Sequence, residues 1–145
     1  MASVVSINIS EKKGVPKDSV EVGELIEDFG LKGDAHAKNW HKQISLLGQE
    51  SIDRMTAGGA TNLRPGIFAE NITTEGVTLF ELPIGTKFLM GECELEVTQI
   101  GKECHERCAI YYQAGDCVMP REGIFAKILK GGMVKKGDII TVLGA

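Results

Sequence analysis

The sequence lacks the features by which several large classes of protein are recognised. None of its apolar runs approaches the roughly 18 residues of a membrane-spanning helix. Its first residues show no basic segment followed by an apolar stretch, so no signal peptide is predicted. Sixteen basic and 20 acidic residues give a formal net charge of -4, which provides no electrostatic attraction for nucleic acid or an anionic membrane. These absences predict a cytoplasmic protein that binds neither nucleic acid nor membrane.

Three well-known motifs are absent as well. The chain has no Gly-x-x-x-x-Gly-Lys-Ser/Thr phosphate loop and no Gly-x-Gly-x-x-Gly dinucleotide fingerprint. It also has no Gly-x-Ser-x-Gly nucleophile elbow. Nucleotide binding of these kinds and serine hydrolase activity are therefore disfavoured.

The composition favours a small, mainly β protein. Only 4 prolines are present, whereas 18 glycines fall largely between short runs rich in Val and Ile. Such spacing is typical of many short strands joined by tight turns. A chain of 145 residues is long enough for one core without disulfides, so we expect a single domain over residues 1–145.

Several elements can be predicted along the chain. Alternating Val5, Ile7 and Ile9 indicate a first strand, and residues 19–29 a pair of strands interrupted at Gly23. A helix is expected over residues 48–57, ending at a Gly-Gly pair. We further expect a strand over residues 43–47, a hairpin of residues 86–90 with 93–100, turns over 131–138 and a closing strand over 139–143. This pattern is α+β: mainly β with one or two peripheral helices.

The stretch at residues 101–108 is the first candidate for chemistry. Cys104 lies just after a predicted strand and close in sequence to Lys102, His105 and Arg107. Cationic neighbours favour the thiolate, the form that attacks sulfur and binds soft metals. The alternative interpretation of Cys104 is an inert buried thiol.

The other cysteines fit less specific roles. Cys104 and Cys108 have the spacing of one zinc knuckle, but no second knuckle follows, and the two could also form a reversible dithiol pair. Cys93 alternates with Leu95 and Val97 and is better interpreted as a core residue. The role of Cys117 is left open.

Three polar segments could line a site. Asp34, His36 and His41 could bind a metal or an anion, or belong to a solvated loop. Arg64 beside Gly66 could dock a phosphate against backbone N–H groups, or form an ordinary turn.

The third segment is the pair Glu70 and Asn71. It interrupts an apolar run, so both side chains need partners or a cavity.

Four ordered segments resemble the signatures of the small stand-alone MOSC-domain proteins, the molybdenum cofactor sulfurase C-terminal family. They are residues 33–47, beginning Gly-Asp-Ala-His-Ala; residues 65–76, containing Phe-Ala-Glu-Asn-Ile; residues 101–108, beginning Gly-Lys-Glu-Cys-His; and residues 115–125. The resemblance extends over nearly the whole chain. It implies a β-barrel like that of the pyruvate kinase barrel domain, and binding of the molybdenum cofactor, a pyranopterin.

The resemblance also implies roles for individual residues. Cys104 would be the sulfur carrier or a ligand of molybdenum, with Lys102 and His105 stabilising the anion. The positions expected to line the cofactor cleft are Asp34, His36, His41, Gln43, Arg64, Gly66, Glu70 and Asn71.

Three functions follow from the resemblance. The first is sulfur carriage or transfer to the cofactor, with a separate cysteine desulfurase as donor and a molybdoenzyme as client. The second is a non-catalytic carrier or insertion factor, and the third a molybdenum reductase of N-hydroxylated compounds served by a separate electron donor. If the resemblance does not hold, the alternative hypothesis is a non-catalytic domain stabilised by zinc.

Overall fold

The fold consists almost entirely of short strands. The computed structural model describes residues 2–12, 15–101 and 122–144, in which there are eleven strands, one α-helix and one 3₁₀ turn, Leu79–Glu81. The strands are β1 Ser3–Ile9, β2 Asp18–Val20, β3 Val22–Ile26, β4 Gly30–Leu31, β5 Ile44–Gly48, β6 Ile72–Glu75, β7 Lys87–Met90, β8 Cys93–Ile100, β9 Ile124–Lys130, β10 Gly132–Lys135 and β11 Ile140–Gly144. Helix α1 spans Gln49–Ala57. The expectation of a mainly β fold with a peripheral helix is confirmed.

Eight strands form one sheet in the order β11-β7-β8-β9-β5-β6-β1-β2, and β10-β3-β4 form a second. β5 and β6 pair in parallel, whereas the other pairings are antiparallel. The edge strands β11 and β2 do not pair, so the described strands do not close into a barrel. One isolated bridge, Ser3 to Ile139, brings the two ends of the sheet into contact.

The core follows the alternation of the central strands. Cys93, Leu95 and Val97 of β8 are fully buried, as the period of two predicts. Ile44 and Leu46 of β5 point into the same main cluster. Leu47 of β5 instead belongs to a second cluster, to which α1 contributes Ile52 and Met55. Helix α1 therefore packs on the outer face of β5.

Four expectations need correction. β1 buries Val4 and Ile7 rather than Val5, because a bulge between Val4 and Ser6 shifts its register against β6. Residues 132–135, expected as turns, form β10 because they pair with β3. The two strands within residues 18–26 do not pair with each other: β2 pairs with β1, and β3 with β10 and β4.

The fourth correction concerns Glu70 and Asn71. They precede β6 rather than interrupting a strand, since residues 65–68 form turns and Ala69 a bend.

In the described part of the chain, no helix is both long and apolar enough to span a bilayer.

We predict that Cys93 resists alkylation in the native protein. Burial, aided by the negative charges of Glu92 and Asp138, raises the pKa of its thiol to about 11, so little thiolate is present at neutral pH. Mass spectrometry after iodoacetamide treatment at pH 7.5, with and without urea, is the measurement. Rapid native labelling of Cys93 would show that this interpretation of the core is wrong.

The same raised pKa has a consequence for stability. The unfolded thiol ionises from its usual 9.0, whereas the folded thiol stays protonated up to about pH 11. The contribution of Cys93 is therefore complete below pH 9 and decreases as the pH rises toward 11.

Candidate functional site

Two polar clusters lie at the end of the sheet where β1 ends and β6 begins. The first, here named the Lys17 cluster, consists of Ser10, Lys17, Asp34 and His36. The second, the Glu70 network, consists of Asn8, Ser45, Glu70, Asn71 and Thr73. Between them they contain four of the eight residues that the sequence predicts to line a cofactor cleft.

Lys17 is fully buried, which is rare for a lysine and requires that its charge be compensated. Its Nζ lies 2.8 Å from Asp34 Oδ1, 2.9 Å from Ser10 Oγ and 3.1 Å from His36 Nδ1. An ammonium carries three N–H bonds, and each has an acceptor here. The buried cation is thus both paired and saturated with hydrogen bonds.

Local backbone chemistry places Asp34 beside this ammonium. Gly33 adopts a φ of +87°, which glycine accepts at little cost, and turns the chain out of β4. The Asp34 carboxylate then accepts the N–H of His36 at 3.0 Å, two residues ahead, in the manner of an Asx turn. It also accepts the N–H of Ser10 at 3.1 Å.

These contacts set the charge of Asp34. Burial alone raises the pKa of its carboxyl. The Lys17 ammonium, together with the N–H groups of His36 and Ser10, outweighs burial and holds the pKa well below its usual range. Asp34 is therefore a carboxylate at all physiological pH values.

Arg64 and Gly66 contact the main chain of Lys17. Arg64 Nη1 donates to the Lys17 carbonyl at 2.6 Å, and the Lys17 N–H donates to the Gly66 carbonyl at 2.8 Å. A Cβ at Gly66 would lie 2.4 Å from the Lys17 carbonyl oxygen, so only glycine fits. The Arg64 side chain keeps 45% of its surface exposed.

The Glu70 carboxylate is buried and faces its own loop. Oε2 accepts the Gly66 N–H at 2.9 Å and the Thr73 hydroxyl at 2.8 Å, and Oε1 accepts the Phe68 N–H at 3.2 Å. Burial raises the pKa of Glu70, although these hydrogen bonds oppose the effect. The Gly66 N–H, which the sequence suggested for a phosphate, is thus already bonded to Glu70.

Asn71 joins three strands. Its Oδ1 accepts the Ser45 N–H of β5 at 3.0 Å, and its Nδ2 donates to the Asn8 carbonyl of β1 at 3.3 Å. The side-chain Nδ2 of Asn8 in turn donates to the Glu70 carbonyl at 3.2 Å and to Thr73 Oγ1 at 3.0 Å. The Glu70 network therefore ties β1, β5 and β6 together where they meet the Lys17 cluster.

The structure places Gln43 and His41 outside both clusters. Gln43 is buried, donates to Asp28 Oδ1 at 3.0 Å and accepts the Ile128 N–H at 2.8 Å, which attaches the turn at Asp28 to β9. His41 is exposed, and its Nε2 lies 3.1 Å from Gln99 Oε1 near the end of β8.

Trp40 connects this region to the Lys17 cluster. Its Nε1 donates to the His36 carbonyl at 3.0 Å, and its ring centroid lies 5.9 Å from that of His41. Lys38 Nζ lies 4.0 Å from the Trp40 ring centroid. This loop carries cationic and aromatic groups at the surface.

The predicted catalytic residues Lys102, Cys104 and His105 lie outside the described residues, as do Cys108 and Cys117. The described neighbours of that segment are joined: the Gly101 N–H donates to the Gly123 carbonyl at 2.6 Å. Just after it, Glu122 pairs with Arg54 and accepts the Ser51 hydroxyl of α1 at 2.6 Å.

Sequence reasoning missed Lys17, Ser10, Asn8 and Ser45. Lys17 sits in a polar loop between Pro16 and Asp18, where a solvated lysine is the ordinary expectation. The first strand offered no signal for its buried polar residues. Ser6, Asn8 and Ser10 alternate with Ile7 and Ile9, which is typical of a solvated face, whereas the structure buries Ser6 and Asn8.

Most of the chain matches a known family. The family model described as MOSC domain matches residues 32–141 of the 145, and the chain belongs to this family. No match was found among curated proteins.

Solved structures share the fold. The YuaD protein of Bacillus subtilis superposes with a TM-score of 0.79 at 17% identity, over 98% of this chain and 96% of that one. YiiM of Geobacillus stearothermophilus gives 0.71 at 18%, over 99% and 75% of the two chains. YiiM of Escherichia coli gives 0.71 at 18%, over 100% and 71%.

The MOSC family is generally linked to binding of the molybdenum cofactor. The anionic, hydrogen-bonding part of that cofactor requires cationic or N–H donors. Those of the described chain are the half-exposed guanidinium of Arg64 and the surface groups of His41 and Lys38. A soft metal prefers a thiolate ligand. Among the described residues the free cysteine is Cys93, which is buried in the core and whose thiol has a raised pKa.

The described residues contain no group of three or more His, Cys, Asp or Glu side chains that could hold a metal. Among the described donors, the half-exposed guanidinium of Arg64 could pair with an anionic group, and a thiolate ligand would have to come from Cys104, Cys108 or Cys117.

We predict that Glu70→Gln lowers the free energy of unfolding by about 1–3 kcal/mol. A glutamine supplies one acceptor oxygen, and its NH₂ group would face either the Phe68 N–H or the Gly66 N–H and Thr73 hydroxyl. Urea denaturation at pH 7 measures the loss. Glu81→Gln, at an exposed position, is the matched control and should change stability by less than about 0.5 kcal/mol. Equal effects of the two variants would contradict the structural role of Glu70.

We predict that Asp34→Asn costs about 3–5 kcal/mol at neutral pH, because it leaves the Lys17 ammonium buried without its counter-ion. The folded pKa of Asp34 is depressed below the usual 3.8, so its contribution is present above that value and is lost as the pH falls toward the folded pKa. The stability difference from wild type should therefore shrink below about pH 4.

Thermal unfolding between pH 3 and 7 tests this, with exposed Asp53→Asn as control. A stability difference that stays constant over the whole range would contradict the assignment.

Proposed function

We propose that this protein binds the molybdenum cofactor and carries sulfur to it on Cys104. The observation that supports the proposal most is the convergence of two motif segments on one buried lysine. Asp34 and His36 contact its ammonium, while Arg64 and Gly66 bond to its main chain. Segments about 30 residues apart in sequence thus form one rigid edge carrying partly exposed His36 and Arg64.

In this proposal the described residues bind and orient. The guanidinium of Arg64 is anchored on two carbonyl oxygens, lies 3.8 Å from the exposed carboxylate of Asp18 and is itself half-exposed; it pairs with the anionic tail of the pterin in place of Asp18. His36 and His41 donate hydrogen bonds to its ring or tail. Asp34, Glu70 and Asn71 hold these groups in place rather than contacting the ligand, since their polar atoms are bonded within the chain.

The sulfur is carried by the chain itself. The Cys104 thiolate attacks the outer sulfur of a persulfide on a separate cysteine desulfurase. A new S–S bond forms at Cys104, the S–S bond of the donor breaks, and the donor cysteine leaves as a thiolate. Lys102 and His105 stabilise the anionic persulfide on Cys104. When bound, the cofactor would supply a metal centre that takes this outer sulfur as a sulfide ligand. The two electrons required would come from an added thiol, which leaves as a disulfide, and Cys104 returns as a thiolate.

The chemistry of Cys93 supports the choice of a different cysteine. Cys93 is fully buried and its thiol pKa is raised to about 11, the reverse of what a nucleophilic sulfur requires. Cys104 has cationic neighbours in sequence instead. A cytoplasmic setting, in which thiols stay reduced, and a molybdoenzyme client are part of the same proposal.

The test is native mass spectrometry of the protein incubated with molybdenum cofactor. Wild type should gain the cofactor mass and, after incubation with a cysteine desulfurase and cysteine, one additional sulfur. Cys104→Ser should keep the pterin and lose the added sulfur, while Cys93→Ala, the matched cysteine control, should behave as wild type.

Each other outcome has a distinct meaning. If Cys104→Ser binds cofactor and sulfur as wild type does, the sulfur-carrier role is wrong and a carrier or insertion factor remains. If the variant loses molybdenum without any sulfur ever appearing on wild type, Cys104 is a metal ligand, as in a reductase. If wild type gains no mass, and instead holds about one zinc per chain through dialysis, the zinc-stabilised domain replaces the proposal.

A further inference from the structure

The Lys17 ammonium has a consequence for the chemistry of His36. All three of its N–H bonds are directed at acceptors: Ser10 Oγ at 2.9 Å, Asp34 Oδ1 at 2.8 Å and His36 Nδ1 at 3.1 Å. An ammonium can only donate. His36 Nδ1 must therefore accept, and an accepting ring nitrogen carries no proton.

The alternative partner for Nδ1 does not compete. Asp34 Oδ2 lies 3.6 Å from His36 Nδ1, beyond hydrogen-bond distance, and it already accepts the backbone N–H of His36 at 3.0 Å. A proton on Nδ1 would also face the donors of a cation 3.1 Å away. The geometry thus selects one tautomer of the neutral ring, with the proton on Nε2.

The His36 ring is held by its surroundings and keeps one nitrogen for a ligand. Trp40 Nε1 donates to the His36 carbonyl at 3.0 Å, which fixes the backbone that carries the ring. The side chain is 19% exposed. Within the described ranges, no hydrogen bond is made to Nε2.

We propose that Lys17 is a positioning residue that fixes His36 as an Nε2–H donor, aimed at an acceptor atom of the bound molybdenum cofactor. The proposal rests on the proposed function for the identity of the ligand, but the tautomer belongs to the protein alone. Lys17 touches no ligand in this scheme. Its charge is compensated by partners inside the protein, so Lys17 acts on the ligand only through the imidazole of His36.

The ring tautomer is directly measurable by ¹⁵N NMR of the imidazole nitrogens at pH 8, where a free imidazole is uncharged. The variant His36→Gln assigns the His36 signals among the three histidines. Wild type should show Nδ1 unprotonated and Nε2 protonated. A protonated Nδ1 in wild type overturns the proposal, whatever any variant does.

Variants then test whether Lys17 is the cause. In Lys17→Met the Asp34 carboxylate, 3.6 Å from Nδ1, remains as an acceptor, so the proton should move wholly or partly to Nδ1. The double variant Lys17→Met/Asp34→Asn removes both buried charges together, which protects the fold if the single variant does not fold, and should lose the fixed Nε2–H tautomer. Lys32→Met, at an exposed lysine, is the control and should leave the signals unchanged. An unchanged tautomer in folded Lys17 variants overturns the proposal.

Cofactor binding gives the second measurement. Titration with isolated molybdenum cofactor should show that Lys17→Met and His36→Gln each weaken binding about tenfold, the effect of one lost hydrogen bond to a charged group. Because both act through the same Nε2–H, the Lys17→Met/His36→Gln pair should also weaken it about tenfold. Losses that multiply to about a hundredfold would show independent roles and contradict the proposal. If wild type does not bind the cofactor at all, the proposed function fails, while the tautomer result still stands.

Discussion

The site depends on one physical constraint: a buried ammonium must find three acceptors and a counter-charge. Transfer of an unpaired lysine charge into a protein interior costs several kcal/mol, so Lys17 is stable only where Ser10, Asp34 and His36 surround it. These residues come from the end of β1 and from the turn after β4. The main chain of Lys17 adds the segment of Arg64 and Gly66. A single residue thereby joins the end of β1, the turn after β4 and the loop before β6.

The Glu70 network obeys the same rule with the opposite charge. Its carboxylate is buried among two N–H groups and one hydroxyl, and Asn71 beside it completes the hydrogen bonding of Ser45 and Asn8. The loop before β6 is therefore fixed by buried polar bonds in addition to the packing of Phe68 in the second apolar cluster. A buried polar network that is fully satisfied gives a unique geometry, because any displacement leaves a donor or acceptor unpaired.

This division separates the motif residues by what they touch. Asp34, Glu70 and Asn71 are buried and bond within the chain, whereas His36, His41 and Arg64 keep exposed surface. Motif residues of the first kind shape the site, and those of the second kind can meet a ligand. From the sequence alone, all of these residues were predicted to line the cofactor cleft, because each is a polar residue in a recognisable signature.

The sequence by itself determined the fold class, most of the strands, helix α1 and the family. Alternation in β8 and the Gly-Gly pair after α1 are local signals, and at these two elements the tertiary structure agrees with them. It could not predict β10, the bulge in β1 or the second face of that strand, since each depends on a partner strand distant in sequence. Nor could it reveal Lys17, because a lysine beside a proline in a polar loop reads as solvated. Only the tertiary structure brings Ser10, Asp34 and His36 to its ammonium, and the burial of a charge is decided by those distant partners and not by its neighbours in the chain.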